Sequence, residues 1–289
     1  MSESIGSFQV LGKLGTGAHS TILHIRRNKD AKAYALKVVP IDGPEDQKFL
    51  EQAEHEFAVA QKLDHPNLIK IYCLEKVRAL GFLGSVKEVR LLIEYVHGQT
   101  LDQFKLIPMP QLVQIFVRVA SGLVMMHRRN IYHADLKPNN ILVGHGDVVK
   151  VIDFGLAWIK GEAKDRVQGT PEYMAPEQVT KKIVNEATDI FNFGATMYRM
   201  VTWRNIPSLM AGAGSLSHSA ATYERAYKKV LELSPATPPA LAELIDQCLA
   251  YHPRQRPERM SEVQGTLDHL ADELIRGPED ELANWEWEA

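Results

Sequence analysis

Cysteine is scarce in this chain. Its 289 residues include two, Cys73 and Cys248. Two cysteines so far apart can neither staple a fold of this size nor make a metal site alone, so a reduced, cytoplasmic protein is expected. Long apolar runs are missing as well. Nothing approaches the roughly 18 consecutive apolar residues of a spanning helix, and no membrane span is expected. The first six residues are polar and lack the basic-then-apolar pattern of a signal peptide. An excess of one charge is also lacking: 33 Lys and Arg stand against 36 Asp and Glu, a formal net charge of −3. That argues against non-specific binding of nucleic acid. No internal repeat is visible. One further absence is local: residues 155–168 contain no serine, threonine or tyrosine.

What is present is strong apolar patterning. The chain is 45% hydrophobic, enough for a large core built as one domain of two lobes or two tightly coupled small domains. Alternation of apolar and polar residues predicts strands over about 8–15, 20–27 and 32–39, then 68–74 and 89–95. A helical period runs through Phe49, Ala53, Phe57 and Ala60, predicting a helix over 46–63. Residues 75–87 read as a long hairpin connection. After Gly98, a plausible bend, the pattern turns helical: 110–129, 188–202, 220–232, 237–250 and 260–275. Residues 211–219 read as a loop. The final stretch from Gly277 carries five acids, no base, Trp285 and Trp287.

Several polar residues interrupt this patterning in ways that suggest chemistry. Gly15 and Gly17 lie at a strand-to-strand turn, where backbone N–H groups can approach phosphate oxygens without a Cβ in the way. A dinucleotide fingerprint would need a helix to follow, and a strand follows here. Lys37 sits in an apolar strand and needs a carboxylate partner; Glu56 is the natural one and Glu54 the alternative. Between His133 and Asn140 come Asp135 and Lys137, and Asp153 ends a later strand. Phosphoryl transfer needs a carboxylate to orient the attacking hydroxyl, oxygen ligands for Mg²⁺ and cations facing the transferring group. Asp135, then Asn140 with Asp153, then Lys137 with Lys37 can fill those roles.

With these motifs in hand, the sequence resembles the eukaryotic-type (Hanks-type) serine/threonine protein kinases, from about Phe8 to Leu274. The resemblance implies an α+β, bilobal fold over 8–275: a five-stranded antiparallel small-lobe sheet with one helix (8–95), a hinge at 94–98, a mainly helical large lobe (99–275) and an acidic tail (276–289). It implies ATP and Mg²⁺ as cofactors, with Mn²⁺ as an alternative, and a protein substrate with a serine or threonine acceptor. The nucleotide would meet Gly15, Gly17, Ser20, Ile22, Ala35, Lys37, Glu94, Val96 and Leu142, with Ile93 as gatekeeper. Lys37 would be held by Glu56, whose offset from His65 favours it over Glu54. Asp135 would act as base, Lys137 would face the γ-phosphoryl group, and Asn140 and Asp153 would hold the metal. Thr170 and Glu177 belong to the close of the activation segment, Gly169 to Glu177. Asp189 would brace the catalytic loop and Arg256 would pair with Glu177. The surfaces open to a regulatory protein are the small-lobe helix, αC in that family, and the acidic tail.

Three departures stand out. Ser20 replaces a glycine. Ala60 replaces a larger apolar residue and leaves room for a gap beside Phe154, at a cost of about 1–3 kcal/mol if unfilled. Ala134 replaces an arginine that in the family pairs with a phosphorylated activation-loop residue, making this a non-RD variant. The hydroxyl-free stretch after Phe154 lacks the acceptor too, so the segment is expected to be ordered without phosphorylation. Glu162 or Asp165 could pair there with Lys164, Arg166 or a lysine elsewhere. Two rival readings are a pseudokinase that binds nucleotide or scaffolds, and a small-molecule phosphotransferase.

Overall fold

The computed structural model describes residues 4–17, 19–79, 84–161, 167–180, 183–208 and 219–283, with side chains between 5 and 275. The expected loop at 211–218 and the expected pairing of Glu162 or Asp165 lie outside the described residues. The small lobe is one antiparallel sheet of β1 (Ser4–Ile5), β2 (Phe8–Gly17), β3 (Ser20–Arg27), β4 (Ala33–Pro40), β5 (Ile71–Arg78) and β6 (Val86–Glu94), in the order β1-β2-β3-β4-β6-β5. The five long strands are those expected from the alternation, and β1 adds two residues at an edge. Between β4 and β5 lies α1 (Gln47–Ala60), which buries Leu50, Ala53, Glu56, Val59 and Ala60. Strands β5 and β6 extend further into residues 75–87 than expected, because the pairing Val77↔Glu88 continues the ladder.

The two lobes are tied by backbone. Ile69 N donates to Val151 O at 3.0 Å, Val151 N to Asn67 O at 2.8 Å, and the Asn67 side chain to Val149 O at 3.0 Å. At the hinge, a Cβ on Gly98 would come within 2.1 Å of the Val143 carbonyl oxygen, so only glycine lets the chain pass. The large lobe begins with β7 (Gly98–Thr100) and α2 (Met109–Arg128). Then come β8 (Ile131–Tyr132), β9 (Ile141–Gly144), β10 (Val149–Val151) and β11 (Trp158–Ile159). These strands make two small sheets, β10-β9-β7 and β11-β8. Helices α3 (Pro176–Thr180), α4 (Glu186–Thr202), α5 (Ala220–Ala226), α6 (Val230–Leu233), α7 (Pro239–Cys248) and α8 (Met260–Ala283) complete the lobe.

Two expectations need correction. The single helix over 220–232 is two, because Tyr227 turns extended and gives its hydroxyl to Asp246 at 2.7 Å. Helix α8 passes through Gly277-Pro278 into the stretch read as a tail, and Glu281, Leu282 and Ala283 beyond the proline are strong helix formers. Helix α2 is long and apolar enough to cross a membrane by length and composition, with polar residues interrupting its apolar run as the sequence shows. Its apolarity has a structural use: Leu112, Ile115, Phe116, Val119, Leu123 and Met126 are all buried in the core.

A buried ion pair fastens the far end of this lobe. Both Arg256 guanidinium NH2 groups reach Glu177, at 2.8 and 3.0 Å. The same guanidinium also donates to the carbonyls of Ala187, Ala250 and Tyr251, and stands 4.7 Å over the Phe191 ring. Removing one partner strands the other charge in the interior. Arg256→Met is expected to cost about 3–5 kcal/mol in denaturant unfolding; a loss under about 1 kcal/mol would mean the pair is dispensable.

Candidate active site

The glycine-rich turn is shaped by its strand pair. Two register shifts in the β2–β3 ladder, before Gly12 and before Gly15, bend β2, and the pairing then closes as Gly15↔Ile22 and Gly17↔Ser20. A Cβ on Gly17 would lie 2.6 Å from the Ser20 hydroxyl. Next along the sheet, Ile22 pairs with Lys37, and Ala35 with Ile93.

Lys37 Nζ meets Glu56 Oε2 at 2.7 Å and lies 4.0 Å from Asp153 Oδ1. Burial alone would lower the Lys37 pKa, but the two carboxylates outweigh it and raise it, so the ammonium stays charged. Glu54, the alternative partner, instead pairs with Lys76 on β5. Helix α1 is further tied to the segment after Asp153: His55 Nε2 lies 2.6 Å from the Ala157 carbonyl oxygen. Phe154 is fully enclosed in the same core as Ala60 and stands edge-on to His133 at 6.1 Å.

At the hinge, the Glu94 side chain pairs with buried Lys150 at 2.9 Å and accepts the Lys70 amide at 3.2 Å. Val96 packs against β9 at Gly144. Leu142 pairs with Thr100 across β7–β9. The residues expected around a nucleotide thus come from the sheet, the hinge and the floor formed by β9.

Asp135 is the most heavily contacted carboxylate facing this cleft. Its Oδ1 accepts the Thr170 amide at 2.7 Å and the Thr170 hydroxyl at 2.8 Å. Its Oδ2 accepts Lys137 Nζ at 2.9 Å, and the same ammonium donates to the Thr170 hydroxyl oxygen at 2.6 Å. Asn140 gives its amide nitrogen to the Asp135 carbonyl at 2.9 Å, which leaves Oδ1 to coordinate. Asp153 is half exposed. Among the described residues no cluster of three or more His, Cys, Asp and Glu is placed to enclose a metal. Two oxygen donors fit Mg²⁺, which keeps waters and takes its other ligands from phosphates.

The loop carrying Asp135 is held from below by Asp189. This wholly buried carboxylate accepts the His133 amide, the Ala134 amide and His127 Nε2, each at 2.8 Å. Ala134 and Asp153 both adopt left-handed backbone, with φ of 63° and 65°, a conformation costing roughly 1–2 kcal/mol in a residue with a Cβ. Burial alone would raise the Asp189 pKa; the His127 hydrogen bond and charge outweigh it and hold the carboxyl below its usual range. Gln178 completes the frame by donating to the Ala134 carbonyl at 2.7 Å.

Sequence reasoning missed His19, His55, His127 and Gln178. Their partners lie well away in the chain, and a lone histidine or glutamine gives no signal of its own.

A sequence model of the Protein kinase domain family matches residues 8–277. The chain belongs to that family. Serine/threonine-protein kinase PrkC of Bacillus subtilis is 25% identical over 270 residues, covering 91% of this chain and 40% of that protein. The cAMP-dependent protein kinase type 3 of Saccharomyces cerevisiae is 27% identical over 267 residues, covering 90% and 62%. An Aurora kinase of Candida glabrata is 28% identical over 259 residues, covering 88% and 68%. The chain thus spans less than two thirds of the length of the first two of these relatives.

His127, which meets Asp189 on one ring nitrogen, faces a second carboxylate on the other. Its Nδ1 lies 3.2 Å from Glu186 Oε1, close enough for an ion pair though too oblique for a hydrogen bond. Burial opposes the charge, but Asp189 and Glu186 prevail and raise the pKa from 6.5 to about 9. A raised folded-state pKa stabilises fully below the unfolded value, and that contribution is lost as pH climbs through the folded one. Unfolding free energy should therefore fall by on the order of 3 kcal/mol between about pH 6.5 and 9, and His127→Gln should flatten the slope. A parent profile with no decline over that window would contradict the charged pair.

Proposed function

We propose that this chain is an ATP-dependent serine/threonine protein kinase acting in the cytoplasm. The observation that carries the reading is the Asp135 carboxylate, held on one oxygen by Thr170 and on the other by Lys137. An acceptor hydroxyl entering this group would meet a base already oriented by fixed donors, with an ammonium beside the oxygens of the transferring phosphoryl group. Lys37, fixed by Glu56, faces the α- and β-phosphates, while the backbone at Gly15 and Gly17 covers them from above. Adenine would lie against Ile22, Ala35 and Leu142 and meet the chain at Glu94 and Val96. Asn140 and Asp153 would hold Mg²⁺ or Mn²⁺, which would offset charge on the phosphate oxygens. Asp135 would receive the proton of the acceptor hydroxyl as that hydroxyl's oxygen bonds the γ-phosphorus and the bond to the β-phosphate oxygen breaks, releasing ADP.

The reading extends to control. Ala134 places a methyl group where the non-RD pattern loses its arginine, and that methyl is buried with Tyr132, Val184 and Trp158. Tyr132 and Trp158 stack at 6.0 Å and pair in register across β8–β11. Apolar packing therefore anchors the start of the activation segment at the place where a phosphate receiver would stand. Together with the hydroxyl-free stretch after Phe154, this supports a kinase that works without phosphate on that segment, with Thr170 engaged at Asp135.

The test is phosphate transfer to a serine/threonine peptide library. Phosphatase-treated protein should transfer at the untreated rate. Asp135→Ala should lower kcat by about a hundredfold or more with little change in ATP affinity, whereas Lys37→Ala should damage both. Equal turnover in Asp135→Ala rejects the base assignment, and loss of activity on phosphatase treatment rejects phosphate independence. Nucleotide binding without any transfer by the parent would mark a pseudokinase.

A further inference from the structure

His19, at the tip of the glycine-rich turn between Gly17 and Ser20, lies against the small-lobe helix. Its ring stacks on Phe49 in the first turn of α1, with centroids 4.0 Å apart and planes 15° apart. Its Nε2 lies 3.0 Å from the Pro40 carbonyl oxygen and 3.3 Å from Asp46 Oδ1. Both neighbours are acceptors, so Nε2 carries a hydrogen and donates. Asp46 is itself fixed. It is buried, and its other oxygen accepts the amides of Asp42 and Gly43 at 2.9 and 3.2 Å. The tip is therefore joined to three separate places: the end of β4, the turn before α1, and α1 itself.

We infer that His19 is a positioning residue that fastens the glycine-rich turn to the N-terminus of α1. Resting on the phosphoryl-transfer reading above, the inference adds which residue couples the two phosphate-facing parts of the small lobe. Helix α1 carries Glu56, and Glu56 sets Lys37. The turn carries Gly15 and Gly17. With His19 docked, the backbone above the phosphates and the ammonium beside them move as one body. The coupling matters more here than it would with a large side chain at position 60, because Ala60 contributes little apolar anchoring between α1 and the core around Phe154. At the other end, His55 on the Ala157 carbonyl ties α1 to the segment following Asp153.

Two measurements on the full chain test this: titration with a fluorescent ATP analogue plus Mg²⁺, and hydrogen exchange over residues 47–60. His19→Ala should weaken nucleotide binding by about tenfold, the combined loss of one hydrogen bond and one ring contact. KM for ATP should rise in parallel, kcat should change less, and the amides of α1 should lose protection. His19→Phe keeps the stack without the hydrogen bond and should recover part of both effects, a graded rescue that general destabilisation does not give. It also supplies a folded comparison should His19→Ala fold poorly. The inference is overturned if His19→Ala leaves exchange over α1 unchanged, or if His19→Phe and His19→Ala are equally impaired. A parent that binds nucleotide without transferring phosphate would defeat the proposed activity yet leave this test intact. Should the parent not bind nucleotide, the exchange measurement alone decides.

Discussion

One buried carboxylate organises the catalytic region. Asp189 has no exposure to water, so its charge has to be neutralised by directed donors, and it has three: two consecutive loop amides and a histidine. It also sits in the first turn of α4, where the positive end of the helix dipole favours an anion. This concentrated set of charge-assisted bonds offsets the left-handed backbone at Ala134, and with that backbone fixed, Asp135 follows at a defined place. The carboxylate that meets Thr170 and Lys137 is thus aimed by a second carboxylate one layer deeper.

Above the cleft the same logic recurs with weaker parts. Lys37 and Glu56 are a buried pair whose geometry depends on where α1 lies. Helix α1 buries Leu50, Ala53, Val59 and Ala60, and polar side chains add further ties: His55 reaches the Ala157 carbonyl and His19 meets Phe49, Asp46 and Pro40. The contacts at Ala134 are apolar: Tyr132, Trp158 and Val184 close around its methyl group.

The legible features were those with local periodicity or tight spacing. The five main strands, α1 and α2 follow from period 2 and period 3.6, and the residues around Asp135 and Asp153 are close enough in sequence to be read as a set. The pairing of Lys37 with Glu56 was narrowed by family offset, because both Glu54 and Glu56 lie on one short helix and only its packing separates them. What periodicity did not reveal depended on tertiary contact. Tyr227 breaks an otherwise helical pattern because Asp246, distant in sequence, takes its hydroxyl. His127 looks like an ordinary residue near a helix end until Asp189 and Glu186 appear on either side of it. The apolar length of α2 reflects burial in the core of the large lobe and could not be told from a spanning segment by composition alone.

The most direct test of this account is Asp189→Asn, which keeps the side chain's shape, removes the charge and replaces one accepting oxygen with a donor. Phosphate transfer should fall by about a hundredfold or more as Asp135 loses its aim, while affinity for a fluorescent ATP analogue, set by the hinge, the glycine-rich turn and Lys37, should stay within about threefold. Transfer close to the parent rate in a folded, nucleotide-binding Asp189→Asn protein would contradict the claim that the buried carboxylate positions the catalytic loop.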